Sequence, residues 1–478
     1  MSATAPLLYE RVARLVETQI ATGTLRANDR IPSVRTMSRS AKVSVSTVVQ
    51  AYVHLENIGL IEARPQSGFY VRPPNPKLLP EPRAKVTRSS RPVSVASEML
   101  DTCREALSRS DIVPLNGAFT SPSLYPNQRL NNLIREVLRD HPTHAGELIM
   151  PPGDAELRRQ IAKRMAIAGA PTDSGHVVIT GGTMDAITLT LQVLCQPGDT
   201  VLVESPTYFG LLQAIEHLRL KVVEVPNHPV IGIDADAVRN VARTTRIAAA
   251  VLMPNFNNPS GTLTPDDAKR EIVATLTGNE IPIIEDDIYG DLHYGSVRPT
   301  SMRAFDESGL VISCGSVSKT IALGYRIGWA VSPQFHKEIT RAKFYSSVAC
   351  PTLQQLVLAR YYASGGYDRY LRRVRMALSS NSQHFIDAVS RYFPAGTRVA
   401  RPAGGIVIWV ELPAQIDGSI LFRTALASRI GIAPGVVFSA KAGYRNFVRM
   451  SCGLPWSTAL ERTIEKLGRL VRDMAGTA

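Results

Sequence analysis

The chain has 478 residues, 44% of them hydrophobic and 20% charged, with a formal net charge of +13. That length exceeds one ordinary core, so two or three domains are expected in a chain of ordinary globular composition. The basic balance fits an acidic partner such as DNA without requiring one. No apolar run reaches transmembrane length and the first residues lack the regions of a signal peptide, so no membrane association and a cytoplasmic location are expected. The five cysteines (Cys103, Cys195, Cys314, Cys350, Cys452) are widely spaced, which favours a reducing compartment and packed thiols.

Residues from about Leu8 to Val71 read as three helices and a hairpin. Tyr9, Val12, Leu15, Val16 and Ile20 fall at helical spacing and mark one buried face. Pro32-Ser33-Val34-Arg35 opens a second, short helix with Ser33 as its cap. Ser44-Val45-Ser46 leads into a third, with Val48, Ala51, Tyr52 and Leu55 inward and an end at Asn57-Ile58-Gly59. Leu60–Ala63 and Gly68–Val71 alternate like two strands of a small wing, with a turn through Arg64-Pro65-Gln66-Ser67. Residues 73–93 hold too many prolines for a helix or central strand, and Lys77, Arg83, Lys85, Arg88 and Arg91 make them basic. They read as a stiff, solvated spacer between a first domain, 1–72, and a second, 94–478.

From about Ser94 helical patterns alternate with short apolar runs: Val177–Ile179, Thr200–Val203, Ala248–Leu252, Ile281–Ile284 and Leu310–Ile312. That alternation predicts an α/β architecture, a mainly parallel sheet with helices on both faces. From about Tyr345 a long helical region leads to a smaller α+β unit, with strands at Gly405–Val410 and Asn446–Met450.

Four stretches of the second domain can carry chemistry. Thr180-Gly181-Gly182-Thr183-Met184-Asp185 follows a strand and opens a helix, where backbone amides bind phosphate and glycines let it approach; an ordinary strand-to-helix turn looks the same. Asn258, in Asn257-Asn258-Pro259, follows a strand, where ligands collect in parallel sheets, and its amide can donate to a phenolate; an Asn-Pro turn is the plain alternative. Glu285-Asp286-Asp287-Ile288-Tyr289 ends the next strand. A buried carboxylate there can keep a pyridine nitrogen protonated, and a helix cap or metal ligand is the alternative. In Ser316-Val317-Ser318-Lys319-Thr320 a lysine stands among small hydroxyls, with Arg326 seven positions on. Its amine can condense with an aldehyde while the hydroxyls and the guanidinium hold a dianion.

In this order, these motifs resemble the fold-type I pyridoxal-phosphate enzymes, the aspartate aminotransferase superfamily, over roughly residues 95–475. The resemblance implies a pyridoxal 5'-phosphate cofactor on Lys319, with Asp286 at the pyridine nitrogen and Asn258 and Tyr289 at the ring hydroxyl. Asp286 is preferred to Asp287 by the Asp-x-x-Tyr spacing. It implies a phosphate cup of Gly182, Thr183, the Met184 amide, Ser316, Ser318 and Arg326, a ring-stacking Tyr208, and Arg449 as the clamp on a ligand carboxylate. No metal is implied. Two departures stand out: Asp185 would repel a phosphate unless it points away, and Ile149 and Met150 occupy the place of a tyrosine that reaches the neighbouring subunit.

The first domain resembles the GntR-type winged helix-turn-helix, through Arg30–Arg35, Ser44–Val48, Leu55–Ile61 and Gly68–Val71. The resemblance implies a third helix in the major groove and a wing near the minor groove. The contact candidates are Arg35, Ser44, Val45, Ser46, Thr47, Arg64 and Gly68, with Arg35 and Arg64 on phosphates. Val45 and Val49 stand where many members have arginines; contact with a thymine methyl is an alternative for Val45, and core packing is the plain alternative for Val49.

Together the two domains resemble the MocR subfamily of GntR-type regulators. The resemblance implies a homodimeric, DNA-binding regulator whose effector domain senses an amine, an amino acid or the cofactor. The alternative is a working aminotransferase with a secondary DNA-binding module.

Overall fold

The computed structural model describes residues 8–22, 24–26, 29–57, 60–64, 67–71, 79–83, 91–93, 97–143, 146–441 and 443–476. Ile58-Gly59, Pro65-Gln66 and the linker segments 72–78 and 84–90, with Lys77, Lys85 and Arg88, lie outside the described residues.

Helices α1 (Leu8–Ala21), α2 (Val34–Ala41) and α3 (Val45–Asn57) pack around Val12, Val16, Met37, Val48, Tyr52 and Leu55. Ser33 caps α2, accepting from the Thr36 N–H at 3.2 Å. The Tyr52 hydroxyl donates to the Pro32 carbonyl at 2.7 Å, tying α3 to the turn before α2. Leu15, expected inward, is 46% exposed, because α1 buries a narrower stripe of Val12, Ala13 and Val16. Strands β1 (Ile61–Arg64) and β2 (Gly68–Val71) pair antiparallel. The chain at Arg30 adds an unexpected third row to this wing: Ile31 N–H donates to the Phe69 carbonyl and Val71 N–H to that of Asp29.

The linker is not a solvated spacer throughout. Leu79 is buried in the C-terminal core, Val399 N–H donates to the Pro80 carbonyl at 3.1 Å, and Arg83 N–H donates to Glu411 at 2.8 Å. Arg401 bonds both the Leu79 carbonyl and the Glu81 carboxylate. Proline removes an N–H donor but leaves its carbonyl free to accept, and these carbonyls find partners. Further on, β3 (Arg91–Pro92) joins the edge of the main sheet.

After α4 (Ser97–Ser108), β4 (Val113–Pro114), α5 (Asn127–Asp140) and α6 (Ala155–Ile167), strands and helices alternate. They are β5 (Val177–Thr180), α7 (Thr183–Leu194), β6 (Thr200–Ser205), α8 (Phe209–His217), β7 (Lys221–His228), β8 (Gly232–Ile233), α9 (Ala235–Thr244), β9 (Ala249–Leu252), α10 (Asp266–Thr277), β10 (Ile283–Asp286), β11 (Val311–Ser316) and β12 (Gly328–Val331). The main sheet runs β3-β7-β6-β9-β10-β11-β12-β5, with β8 paired to β7. Strands β7, β6, β9, β10 and β11 are parallel, and β12 is antiparallel to both neighbours. Alternate residues feed opposite faces, Val201 and Val203 one core and Leu202 the other.

The C-terminal part begins with α11 (His336–Ser347), α12 (Thr352–Ala363) and the long α13 (Gly366–Tyr392), which also meets α3. Then come β13 (Arg398–Val399), β14 (Val407–Glu411), α14 (Gly418–Ala427), β15 (Ile430–Gly431), β16 (Ala433–Pro434), β17 (Phe447–Ser451) and α15 (Thr458–Gly476). An antiparallel sheet, β13-β14-β17-β16, sits beside the main one. Among the described residues no helix is long and apolar enough to cross a membrane.

Candidate functional site

The carboxyl ends of the parallel strands open into a cleft of about 290 Å³. Peptide dipoles and loop backbone converge at such a rim, which is where open α/β sheets hold ligands. Asp286 is the last residue of β10 and Ser316 the last of β11, while Tyr208 and Asn258 follow β6 and β9. Thr183 opens α7, and Arg449 projects from the middle of β17. The cleft lining contains Tyr208, Thr183, Met184, Asn258, Asp286, Tyr289, Ser316, Ser318, Lys319, Arg326 and Arg449 together. Gly182 adjoins it as the residue before α7.

One end is built for an anion. Thr183 Oγ1 is buried with no hydrogen-bond partner among the described residues, at a helix N-terminus whose first N–H groups have no intrahelical acceptor. Arg326 donates to Ser318 Oγ at 3.3 Å and to the Gly181 carbonyl at 2.7 Å. Gly182 has φ +118°, and a Cβ there would lie 2.7 Å from Arg326 Nη2; the close approach needs glycine. Asp185 does not face this end as a repelling charge. It accepts from the Gly181 N–H at 2.6 Å and pairs with Lys343 at 2.9 Å.

The middle holds the reactive groups. Lys319 Nζ donates to the Ala118 carbonyl at 2.6 Å. Burial, helped by Arg449 and Arg326, lowers its amine to about 8 against the pull of Asp286. Burial pushes the Asp286 carboxyl up to about 7, opposed by the Ile288 N–H at 3.2 Å and by Lys319. Asp287 turns away from the cleft: it accepts from Asn255 Nδ2 at 2.9 Å and from Arg298 at 2.5 Å. Tyr208 and Tyr289 are raised above the ordinary phenol value by burial.

At the far end Arg449, 1% exposed, donates to Asn258 Oδ1 at 3.0 Å and to the Asn116 carbonyl, while its Nε has no partner among the described residues. Its guanidinium lies over the Phe438 ring at 5.2 Å. These two bonds use two of the five guanidinium N–H donors, and the remaining donors, Nε–H among them, stay available to a carboxylate. Several participants were not foreseen. The Ala118 and Asn116 carbonyls leave no trace in side-chain patterns. Glu204 did leave one, an acid inside an apolar strand. It accepts from Met253 N–H at 3.1 Å and from Asn257 Nδ2 at 2.9 Å, bracing the Asn258 loop, and burial raises it to about 8.

On the N-terminal module Ser44 accepts from the Thr47 N–H at 3.1 Å, capping α3, and shares hydrogen bonds with the Ser46 and Thr47 hydroxyls at 2.8 Å. Arg35, Val45 and Ser46 are exposed. Val49 is 45% exposed rather than in the core, one turn beyond Val45 at 50%; Val48 takes the inward place. Gly68 has φ +105° beside the Arg30 side chain. Arg64 ends β1, and its side chain lies outside the described residues.

Comparison with known proteins gives two family matches: aminotransferase class I and II over residues 125–467, and bacterial regulatory proteins of the gntR family over residues 8–71. The chain is 36% identical over 466 residues to the HTH-type transcriptional regulator YdcR of Escherichia coli (strain K12), spanning 97% of this chain and 99% of that one. It is 30% identical over 380 residues to a 2-aminoadipate transaminase of Thermus thermophilus, spanning 78% and 94%. Among solved structures, an α-aminoadipate aminotransferase of Thermus thermophilus complexed with N-(5'-phosphopyridoxyl)-L-leucine superposes with a TM-score of 0.74 at 29% identity, covering 79% of this chain and 96% of that one.

Proposed function

The chain belongs to the aminotransferase class I and II family and carries a gntR-family DNA-binding domain, and on that premise we propose a regulator that changes its DNA binding when an amine or amino acid enters the cleft. It is a MocR-type, pyridoxal 5'-phosphate-dependent regulator. The observation that carries the sensing step is one cleft holding a buried amine, Lys319, a buried carboxylate, Asp286, and a buried guanidinium, Arg449, on the chain that also carries a reading helix.

The cleft fits the cofactor: the unpartnered Thr183 hydroxyl, the α7 N-terminus, Ser316, Ser318 and Arg326 suit its phosphate. When bound, the cofactor supplies an aldehyde for amines and a protonated ring that draws electrons. Lys319, with its lowered affinity for protons, has an appreciable neutral fraction near neutral pH, the form that acts as a nucleophile. Asp286 would serve the ring nitrogen, Asn258 and Tyr289 the ring hydroxyl, and Tyr208 the ring face. Arg449, already desolvated, holds a ligand carboxylate at low cost in further burial.

On the module, Ser46, Thr47 and Val45 face the bases from α3, and Ser44 adds a contact at its cap. Arg35 and Arg64 hold phosphates, and Gly68 lets the wing backbone approach. We read the protein as a cytoplasmic homodimer. The exposed apolar side chains Leu148, Met150, Phe344, Tyr345 and Val348 support a covered surface there.

The test is DNA affinity of the holoprotein with and without saturating amino acids, for wild type and Lys319→Ala. A ligand-dependent change lost in Lys319→Ala is expected. Equal affinity throughout, with rapid turnover of amino donors, would instead make the protein an aminotransferase.

A further inference from the structure

We infer that Lys343, outside the cleft, is a positioning residue for the cofactor's phosphate: its ammonium neutralises Asp185, so that this acid can brace the Gly181-Gly182 turn without repelling the dianion beside it. The inference rests on the cleft as the cofactor site and not on the sensing step. Two glycines in succession rotate more freely than any other pair of residues, so a turn that must present its amides to a phosphate needs outside clamps. This turn has them on both sides of Gly181. The Gly181 N–H donates to Asp185 Oδ2 at 2.6 Å, and the Gly181 carbonyl accepts from Arg326 at 2.7 Å. The Gly182 carbonyl accepts from Thr180 Oγ1 at 3.0 Å and from the Ala186 N–H at 3.1 Å.

The brace brings a charge with it. Asp185 is the third residue of α7, and a helix N-terminus favours a carboxylate in its first turn. Once a phosphate dianion settles on the same end, two anions share it within a single turn. Repulsion between like charges at such range, in a partly dry site, is worth about 10-fold or more in affinity. The counter-charge comes from a distant element. Lys343, on α11, is 2% exposed, and its Nζ donates to the same Asp185 Oδ2 at 2.9 Å. Ser347 Oγ, one turn further along α11, accepts from this ammonium at 2.7 Å and fixes its direction. An ammonium this deep is tolerated only beside an anionic partner, and Asp185 is that partner. Lys343 is not part of the cleft lining, so it acts on the phosphate through Asp185. Both bonds lie within one subunit, and a neighbouring subunit can only bury them further.

The test uses full-length protein stripped of cofactor, in its native assembly. Pyridoxal 5'-phosphate and pyridoxal, which lacks the phosphate, are titrated in parallel, with half-saturation read from the visible absorption of the bound ligand. Lys343→Met should raise half-saturation by the phosphate form about 10-fold or more, and by pyridoxal less than about 3-fold, because the unpaired Asp185 charge acts on the phosphate. Lys343→Gln, whose amide still donates to Asp185 and Ser347, removes the charge alone and should give the same result if the first variant folds poorly. The double variant Asp185→Asn with Lys343→Met is a neutral pair that keeps an acceptor for the Gly181 N–H. It should return half-saturation by the phosphate form to within about 3-fold of wild type. Equal losses for the two ligands would make Lys343 a structural residue and overturn the inference. So would unchanged affinity in both lysine variants, or a double variant no better than Lys343→Met. If wild type shows no visible band with pyridoxal 5'-phosphate, the cofactor reading fails and the inference with it.

Discussion

Asp286 and Asp287 are adjacent in sequence, and alanine at each should fail in a different way. Asp287 is 5% exposed and bonded to Asn255 Nδ2 at 2.9 Å and to Arg298, itself 11% exposed, at 2.5 Å. Removing one partner of a buried pair costs about 3–5 kcal/mol. Arg298 keeps Asp291 at 2.8 Å, so the lower end, about 3 kcal/mol, is appropriate. At about 2 °C per kcal/mol, or a little less for so large a unit, Asp287→Ala should lower the unfolding midpoint of cofactor-free protein by roughly 4–6 °C. Asp286 is also buried, but its bond is to the Ile288 N–H at 3.2 Å and burial already disfavours its charge. Asp286→Ala should leave the cofactor-free midpoint within about 2 °C, since the desolvation relieved offsets the bond lost. Loss of an anionic partner for the ring nitrogen should weaken cofactor binding by about 10-fold to 100-fold. Thermal unfolding of stripped protein and cofactor titration by absorbance separate the two. A larger midpoint loss for Asp286→Ala, or a larger affinity loss for Asp287→Ala, would refute the assignment of roles. On sequence grounds Asp287 would be the more tolerant position; the structure restricts that tolerance to cofactor affinity.

Cofactor loading onto stripped protein should rise through pH 8, not near 10.5, because the buried Lys319 amine is half neutral at about 8; a midpoint above pH 10 would contradict this. The unfolded chain binds the more protons between those values, so this group adds stability as pH rises from 8 to 10.5 and loses it as pH falls through 8. Gly182→Ala should weaken cofactor binding by about 10-fold or more, since its Cβ would displace Arg326, with little effect on DNA binding by the same protein. Arg35→Ala should weaken DNA binding across all sequences and reduce the log–log salt slope by about 1. An unchanged slope would remove Arg35 from the phosphate contacts.

The parallel strands were legible because buried strands are unbroken apolar runs, such as Thr200–Val203. Strand β7 was not, because Glu224, Pro226 and Asn227 interrupt it, and β12 is four residues that begin with glycine. The chemically distinctive side chains, from Thr183 to Arg449, could be named because their types and spacing differ from structural background. What holds them could not. The Lys319 amine rests on a backbone carbonyl 201 residues away, and carbonyls have no sequence signature. Val49 could be read as contact or core, because a valine on a helix is compatible with both until the register of α3 against α1 is known; it is exposed. Asp185 looked hostile to phosphate because its partner, Lys343, lies 158 residues away.

The anchoring of residues 79–83 sets a leash length for the DNA reader. Were the whole proline-rich stretch free, the chain from Val71 to Ser94 would span up to about 80 Å at ~3.5 Å per residue. Pinned at Leu79, the tether from Val71 reaches no more than about 28 Å. The accessible sphere shrinks by roughly 20-fold in volume, and the local concentration of the reader around its anchor rises in proportion. The anchor is also mechanical. Pro80 is bonded to β13, which pairs with β14, which pairs with β17, the strand that carries Arg449. A shift of that strand when a ligand engages Arg449 would pull on the near end of the leash, three hydrogen-bonded steps away.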